Sequence, residues 1–199
     1  GSENFNRFLK ISKISNKFFN KINNLNFFKK IKPNLLKSLK KENWIYKADN
    51  LTFSKSLFGA QKGKRITNIK TNLRKNIMYL DMDFSVSEKG YNRGPHRDRE
   101  SRVINFLIYL NTLAKKDGGT LSFYQTKNKK NYTYPRFPKK KDVYKSHKIN
   151  AKEGVGVFFL SSPNSYHSVS KFYGKVKKKR YFIYGSYSLN KAVTWFKKE

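Results

Sequence analysis

Apolar residues recur at every third or fourth position from Phe5 to Phe28 (Phe5, Phe8, Ile11, Ile14, Phe18, Ile22, Leu25, Phe28), with Lys10, Lys13, Lys17 and Lys21 between them. That period follows one face of an α-helix, so the stretch predicts an amphipathic helix whose apolar stripe packs on its own domain's core. Pro33 ends or kinks it, and Leu35, Leu36 and Leu39 open a second short helix. Beyond about Trp44 the texture changes to short runs of aromatic and β-branched residues divided by Gly, Asn, Ser and Lys. These predict strands at 51–58, 65–71, 76–86, 102–111, 119–126, 154–161, 165–173 and 179–189. Their length and spacing suit a β-sandwich or barrel better than alternating β/α units. Residues 127–148, KNKKNYTYPRFPKKKDVYKSHK, have two prolines, many lysines and little alternation, and read as a long basic loop of the kind that serves as a lid or binding surface.

The 199 residues suit one domain, with a helical elaboration at 3–47 and a β core at 48–199. Gly1 and Ser2 read as the scar of a cleaved tag and are left out of the fold reading. With no cysteine, a disulfide framework, a thiolate zinc site and a thiol nucleophile are excluded, and any metal must be held by His, Asp or Glu. Three histidines, His96, His147 and His167, narrow that search. No apolar run approaches the roughly 20 residues that span a bilayer, and with no leader-like segment or cysteine the expected location is cytoplasmic. The net charge of +33 has two readings. It marks an anionic partner such as nucleic acid, lipid or glycan, or it is a solvated lysine coat produced by the bias toward Lys, Asn, Ile and Phe that an A/T-rich genome imposes.

GPHRDRESRVINFLIYLN, residues 94–111, sets His96 and Asp98 two apart, the spacing that puts both side chains on one face of an extended strand. Far downstream, SPNSYHSVS carries His167 after the apolar run VGVFFLSS and a Ser-Pro-Asn turn. Two imidazoles and one carboxylate compose the facial triad of non-haem Fe(II) oxygenases, which leaves coordination sites open. Arg180 opens the alternating run RYFIYGSYSL, where a guanidinium can grip a carboxylate bidentately. His147 reads as a surface residue.

In order and strand context, GPHRD, RVINFLIYLN, GGTLSFY, GVGVFFLSS, YHSV and KRYFIYGSY, spread over roughly residues 76–189, resemble the 2-oxoglutarate- and Fe(II)-dependent oxygenases, with the prolyl-4-hydroxylase-like branch nearest. The resemblance implies a double-stranded β-helix, a cupin-like jelly roll of mainly β structure (α+β with its N-terminal helices), with the metal at its open end. It implies Fe(II) and 2-oxoglutarate as cofactors, O2 as co-substrate and ascorbate as reductant. His96, Asp98 and His167 would be the catalytic iron ligands, and Arg180 and Tyr109 would hold the distal carboxylate of 2-oxoglutarate. Arg102 matches a substrate-side position, while Arg97 and Arg99 flank the clip as exposed charges that could meet an acidic substrate. Gly118 and Gly119 would form a tight turn. Arg180 stands thirteen residues after His167, a longer separation than the family's usual one, so Lys178 and Lys179 are alternative anchors. Asp98 is a carboxylate, which leaves no ligand position for a halide and disfavours halogenation.

The implied reaction is hydroxylation of an unactivated C–H bond of a protein side chain or small molecule, with release of succinate and CO2. One alternative is oxidation of nucleic acid or another polyanion, with Tyr132, Tyr134 and Phe137 stacking bases among the loop lysines. The alkylated-base repair dioxygenases carry a second arginine six residues after the first, however, where this chain has Ser186. The other alternative is a non-catalytic jelly-roll binding module, which would have no need to keep His96, Asp98, His167 and Arg180 together.

Overall fold

A computed structural model describes residues 80–127, 135–174 and 178–188, the backbone of 52–58, 77–79 and Leu189, and the single positions Lys17, Asn20, Lys21 and Lys30. Apart from those four single positions the expected helices at 5–39 lie outside the described residues, as do the strand at 65–71, Tyr132 and Tyr134. Among the described residues nine strands form: β1 Thr52–Phe58, β2 Ile77–Ser87, β3 Arg93–His96, β4 Arg102–Tyr109, β5 Leu121–Thr126, β6 Val143–Ile149, β7 Gly156–Leu160, β8 His167–Val169 and β9 Arg180–Leu189. They build two sheets, β1-β2-β9-β4-β7 and β3-β8-β5-β6. β4 pairs antiparallel with β7, β3 with β8, and β5 with both β6 and β8. Strands distant in sequence thus become neighbours, as in the expected jelly roll. No described helix is long and apolar enough to cross a membrane.

Two strands depart from the sequence pattern, for physical reasons. β6 corrects the reading of 127–148 as loop throughout: it pairs with β5 from Leu121↔Ile149 to Thr126↔Val143. At the edge of its sheet most of its side chains are exposed, so lysines replace the apolar alternation that would have revealed it. β3, Arg-Gly-Pro-His, is the opposite edge, where a proline that donates no ladder bond is tolerated. The expected strand at 165–173 shortens to three residues. After it, Ser170 N–H donates to Thr120 O (3.0 Å) and Phe172 N–H to Tyr91 O (2.9 Å).

By contact density the chain divides into two units. One comprises residues 1–83, 100–103 and 185–199; Leu80, Met82, Val103 and Tyr187 are buried within it. The other comprises 84–99 and 104–184, with a core of Leu107, Tyr109, Leu113, Leu121, Phe172 and Phe182 among others. Each such side chain contributes about 1.5–3 kcal/mol by leaving water. Every candidate ligand described below belongs to this second unit.

The turn into β5 holds its shape through Gly118 and Gly119, with φ of 73° and 69°. A Cβ on Gly118 would collide with the carbonyl oxygen of Lys171, and one on Gly119 would press on Arg180 Cδ at 3.0 Å. Gly118→Ala should therefore cost more than about 2 kcal/mol, from the left-handed backbone and the clash together. Urea denaturation should show a lowered midpoint at unchanged slope.

Candidate metal centre

β3 ends on His96, β8 begins on His167, and the ladder pairs these two residues directly. Their ring centroids stand 4.4 Å apart. Asp98 follows just after β3 has ended, and all three side chains are buried. One ligand atom from each lies within 4.8 Å of the others, and His167 Nε2 is 3.4 Å from Asp98 Oδ2.

The backbone orients both rings in the same way. His96 Nδ1 is 2.9 Å from Gly94 O and His167 Nδ1 is 3.1 Å from Ser165 O, each carbonyl two residues upstream. A carbonyl only accepts, so these contacts put a proton on Nδ1 and turn Nε2 toward the place a metal would occupy. The Tyr184 phenol donates to Asp98 Oδ2 at 3.1 Å, and Phe159 packs edge-on against His167 with centroids 4.9 Å apart. Burial first, and then the neighbouring His167, pushes the His96 imidazole down to about 4, so it is neutral and ready to ligate at neutral pH. Two imidazole nitrogens and one carboxylate, gathered from one side, fit a divalent ion of the Fe(II) type.

Down β9 from Tyr184, on the same face and about 13 Å of strand away, Arg180 is wholly buried. Its Nη1 reaches Ser87 Oγ only at 3.5 Å, and its Nε and Nη2 have no hydrogen-bond partner among the described residues. Its guanidinium carbon lies 4.1 Å from the Phe182 ring centroid and 5.3 Å from that of Tyr109. The buried Tyr109 hydroxyl also lacks a hydrogen bond of good geometry among the described residues. Burial raises the Tyr109 phenol while the Arg180 charge beside it pulls the other way. A guanidinium stays charged, and burying it without an anion is costly. Unsatisfied Arg180 and Tyr109 donors suit a carboxylate, which accepts from both.

The alternative anchors face elsewhere: Lys178 pairs with Asp117 (2.5 Å) and Lys179 with Glu88 (2.7 Å), both at the surface. Arg99 is exposed and Arg102 half-buried. Arg97 corrects the expectation of an exposed charge: it is buried, and its N–H donates to Arg136 O at 2.9 Å, where the 135–137 segment crosses. His147 is exposed on β6, and Ser186 is buried with its Oγ 2.9 Å from Ser188 Oγ. Tyr184 is missing from the sequence-based set. Its only signal there is its even spacing from Arg180, which places both on one strand face.

Residues 82–187, just over half of the chain, match the family model described as the 2OG-Fe(II) oxygenase superfamily. None of the curated proteins matches. Among solved structures, a Pseudomonas putida prolyl-4-hydroxylase is 20% identical over 56% of this chain and 52% of its own, with a TM-score of 0.40. A Trichoplax adhaerens prolyl hydroxylase, solved with a hypoxia inducible factor oxygen degradation domain peptide fragment, is 23% identical over 54% and 42%, with a TM-score of 0.37. HygX from Streptomyces hygroscopicus, solved with nickel and 2-oxoglutarate, is 11% identical over 57% and 58%, with a TM-score of 0.38. The chain thus spans less than two thirds of each of these structures.

The lowered His96 value has a consequence for the metal-free protein. Folded His96 titrates at about 4 against 6.5 ordinarily, so between those values the unfolded chain binds the extra proton. Stability should be full above about pH 6.5 and fall as the pH drops toward about 4. Urea midpoints in chelator at about pH 7.5 and about pH 5 should differ in that direction, and by less in His96→Asn.

Proposed function

The chain belongs to the 2OG-Fe(II) oxygenase superfamily, and from that premise we propose that it is a dioxygenase hydroxylating an unactivated C–H bond of a protein side chain or small molecule, with release of succinate and CO2. His96, Asp98 and His167 hold Fe(II), and Arg180 with Tyr109 holds the far carboxylate of 2-oxoglutarate. The observation that carries this reading is Arg180: a wholly buried cation with two N–H groups unsatisfied among the described residues, beside an equally unsatisfied phenol. A buried cation left short of hydrogen bonds is costly, and an anion at this point would relieve that cost.

When bound, iron and 2-oxoglutarate together activate O2 and supply the oxidising power, with decarboxylation of the co-substrate. The chain's own residues supply position and electrostatics. The Gly94 and Ser165 carbonyls hold the two imidazoles with Nε2 free. Tyr184 steadies Asp98 by a hydrogen bond to Oδ2. Phe159 and Phe123 line the His167 side with apolar surface that keeps bulk water from the ligands. Ser87, Tyr109 and Phe182 surround the guanidinium, so a carboxylate arriving there exchanges water for a charge-assisted bidentate contact.

His167→Ala should abolish binding of Fe(II), or of Co(II) as its stand-in, in a calorimetric titration. Arg180→Ala should keep the metal and weaken 2-oxoglutarate by at least about tenfold, the scale of losing one charged hydrogen-bonded partner; unchanged affinity would remove Arg180 from the anchor role. Wild-type protein should form succinate from 2-oxoglutarate with Fe(II). Absence of both metal binding and succinate would end the oxygenase reading.

A further inference from the structure

Of the 45 basic residues only nine are arginine, and they are not scattered evenly. Arg93, Arg97, Arg99 and Arg102 crowd the ten positions that contain His96 and Asp98. Arg136, distant in sequence, is brought to them by the bond from Arg97 N–H to its carbonyl. A compositional drift toward lysine would raise the charge of the chain at large, but it would not gather arginine at one site. Guanidinium differs from ammonium in presenting a planar fork that grips an oxyanion bidentately and stacks on rings.

The segment that carries Arg136 is fastened to the metal centre. The phenol of Tyr166, wholly buried and adjacent to His167, donates to Pro135 O at 2.9 Å, and the amide of Arg97, adjacent to His96, donates to Arg136 O at 2.9 Å. Two consecutive carbonyls are thereby fixed to the neighbours of two candidate ligands. This clamp holds Phe137 outward, 64% exposed, in a stacked orientation to the His96 ring with centroids 6.4 Å apart. The Arg136 guanidinium carbon lies 5.4 Å from the Phe137 ring centroid. Arg93 and Arg99 are exposed, and Arg93 opens β3, the strand that ends on His96. Exposed Lys139, Lys140 and Lys141 follow Phe137.

We propose that the substrate presented to this oxygenase site is a nucleotide unit, its base stacked on Phe137 and its phosphate held by Arg93, Arg99 and Arg136. The inference rests on the oxygenase reading of the same site but departs from it in the substrate, taking the nucleic-acid alternative; Ser186 speaks only against alkylated-base repair. A flat ring and an oxyanion on one unit match an exposed aromatic with a guanidinium against its ring, and every base offers the π face that such a platform needs. An acidic peptide would satisfy the arginines and leave Phe137 without a stacking partner. The unit comes from a free nucleotide or from single-stranded nucleic acid, because a base inside a duplex has its faces covered.

The test is fluorescence anisotropy on the full chain with a fluorescein-labelled oligothymidylate of about twelve nucleotides, with a glutamate-rich peptide and a duplex as comparators. Phe137→Ala should weaken binding about tenfold, the loss of one stacked base, at unchanged salt slope. Arg136→Gln and Arg93→Gln should each lower that slope by about one, whereas Lys152→Gln, in the β6–β7 turn, should leave binding as it was. Circular dichroism verifies that each variant folds. Displacement by thymidine monophosphate identifies the free nucleotide as sufficient, and its failure to displace identifies the strand as the source. Full affinity in Phe137→Ala, peptide binding as tight as the oligonucleotide, or equal losses in Lys152→Gln and Arg136→Gln would each overturn the proposal. The measurement needs neither iron nor turnover. Lost oligonucleotide binding with succinate still formed overturns this inference alone, and intact binding without succinate or metal uptake overturns the substrate role together with the oxygenase reading.

Discussion

One pairing governs the site: His96 on β3 opposite His167 on β8. β3 is short and lies at a sheet edge, so its register has few backbone bonds to define it. A slip of one residue would turn each imidazole to the other face of its strand. What holds the register is the neighbourhood of the pair. Arg93 pairs with Val169 at the other end of the ladder, β5 pairs with β8 from behind, and the 135–137 segment is bonded to both strands' flanking residues. The placement of the two candidate histidine ligands is therefore a property of the sheet, and Asp98 joins them by following β3 at the point where the strand stops.

The second constraint is electrostatic. A buried guanidinium with few hydrogen bonds is an expense in a chain of 199 residues, and it sits among aromatic rings that cannot neutralise it. Folding tolerates it because Tyr109, Phe182 and the surrounding core pack tightly around the aliphatic stem, and because the glycine turn at 118–119 leaves room beside Cδ. On the proposed reading, such an arrangement spends stability to preorganise a site for an anion. Lys178 and Lys179, which precede β9, instead pair with Asp117 and Glu88.

Much of this was legible in the residues. The strands with buried faces, β2, β4, β5, β7 and β9, carry the alternation or apolar runs that burial demands. The His-x-Asp pair carries little by its spacing alone, and the ordered set of motifs from GPHRD to KRYFIYGSY gave it meaning and joined His167 to it. Edge strands were the blind spot. β6 has no core to face, and β3 hides behind Gly94 and Pro95. Tyr184 looked like one more aromatic of a core strand until its hydroxyl met Asp98. Phe137 was visible as a loop aromatic among lysines, but its position over His96 depends on bonds from Tyr166 and the Arg97 amide, partners far away in sequence. The burial of Arg97 follows from that same crossing, so no local pattern could have revealed it.

The two carbonyl tethers, Gly94 to His96 and Ser165 to His167, each lie within two residues of the ring they hold. Neither tether depends on the other ligand or on an ion, so each imidazole is aimed by its own local backbone. The ordering entropy that a flexible ligand set would surrender on coordination has already been surrendered in folding. Loading of the centre then becomes exchange of an ion's water shell for waiting donors. Its rate should follow the lability of the incoming metal's water more than any rearrangement of the chain.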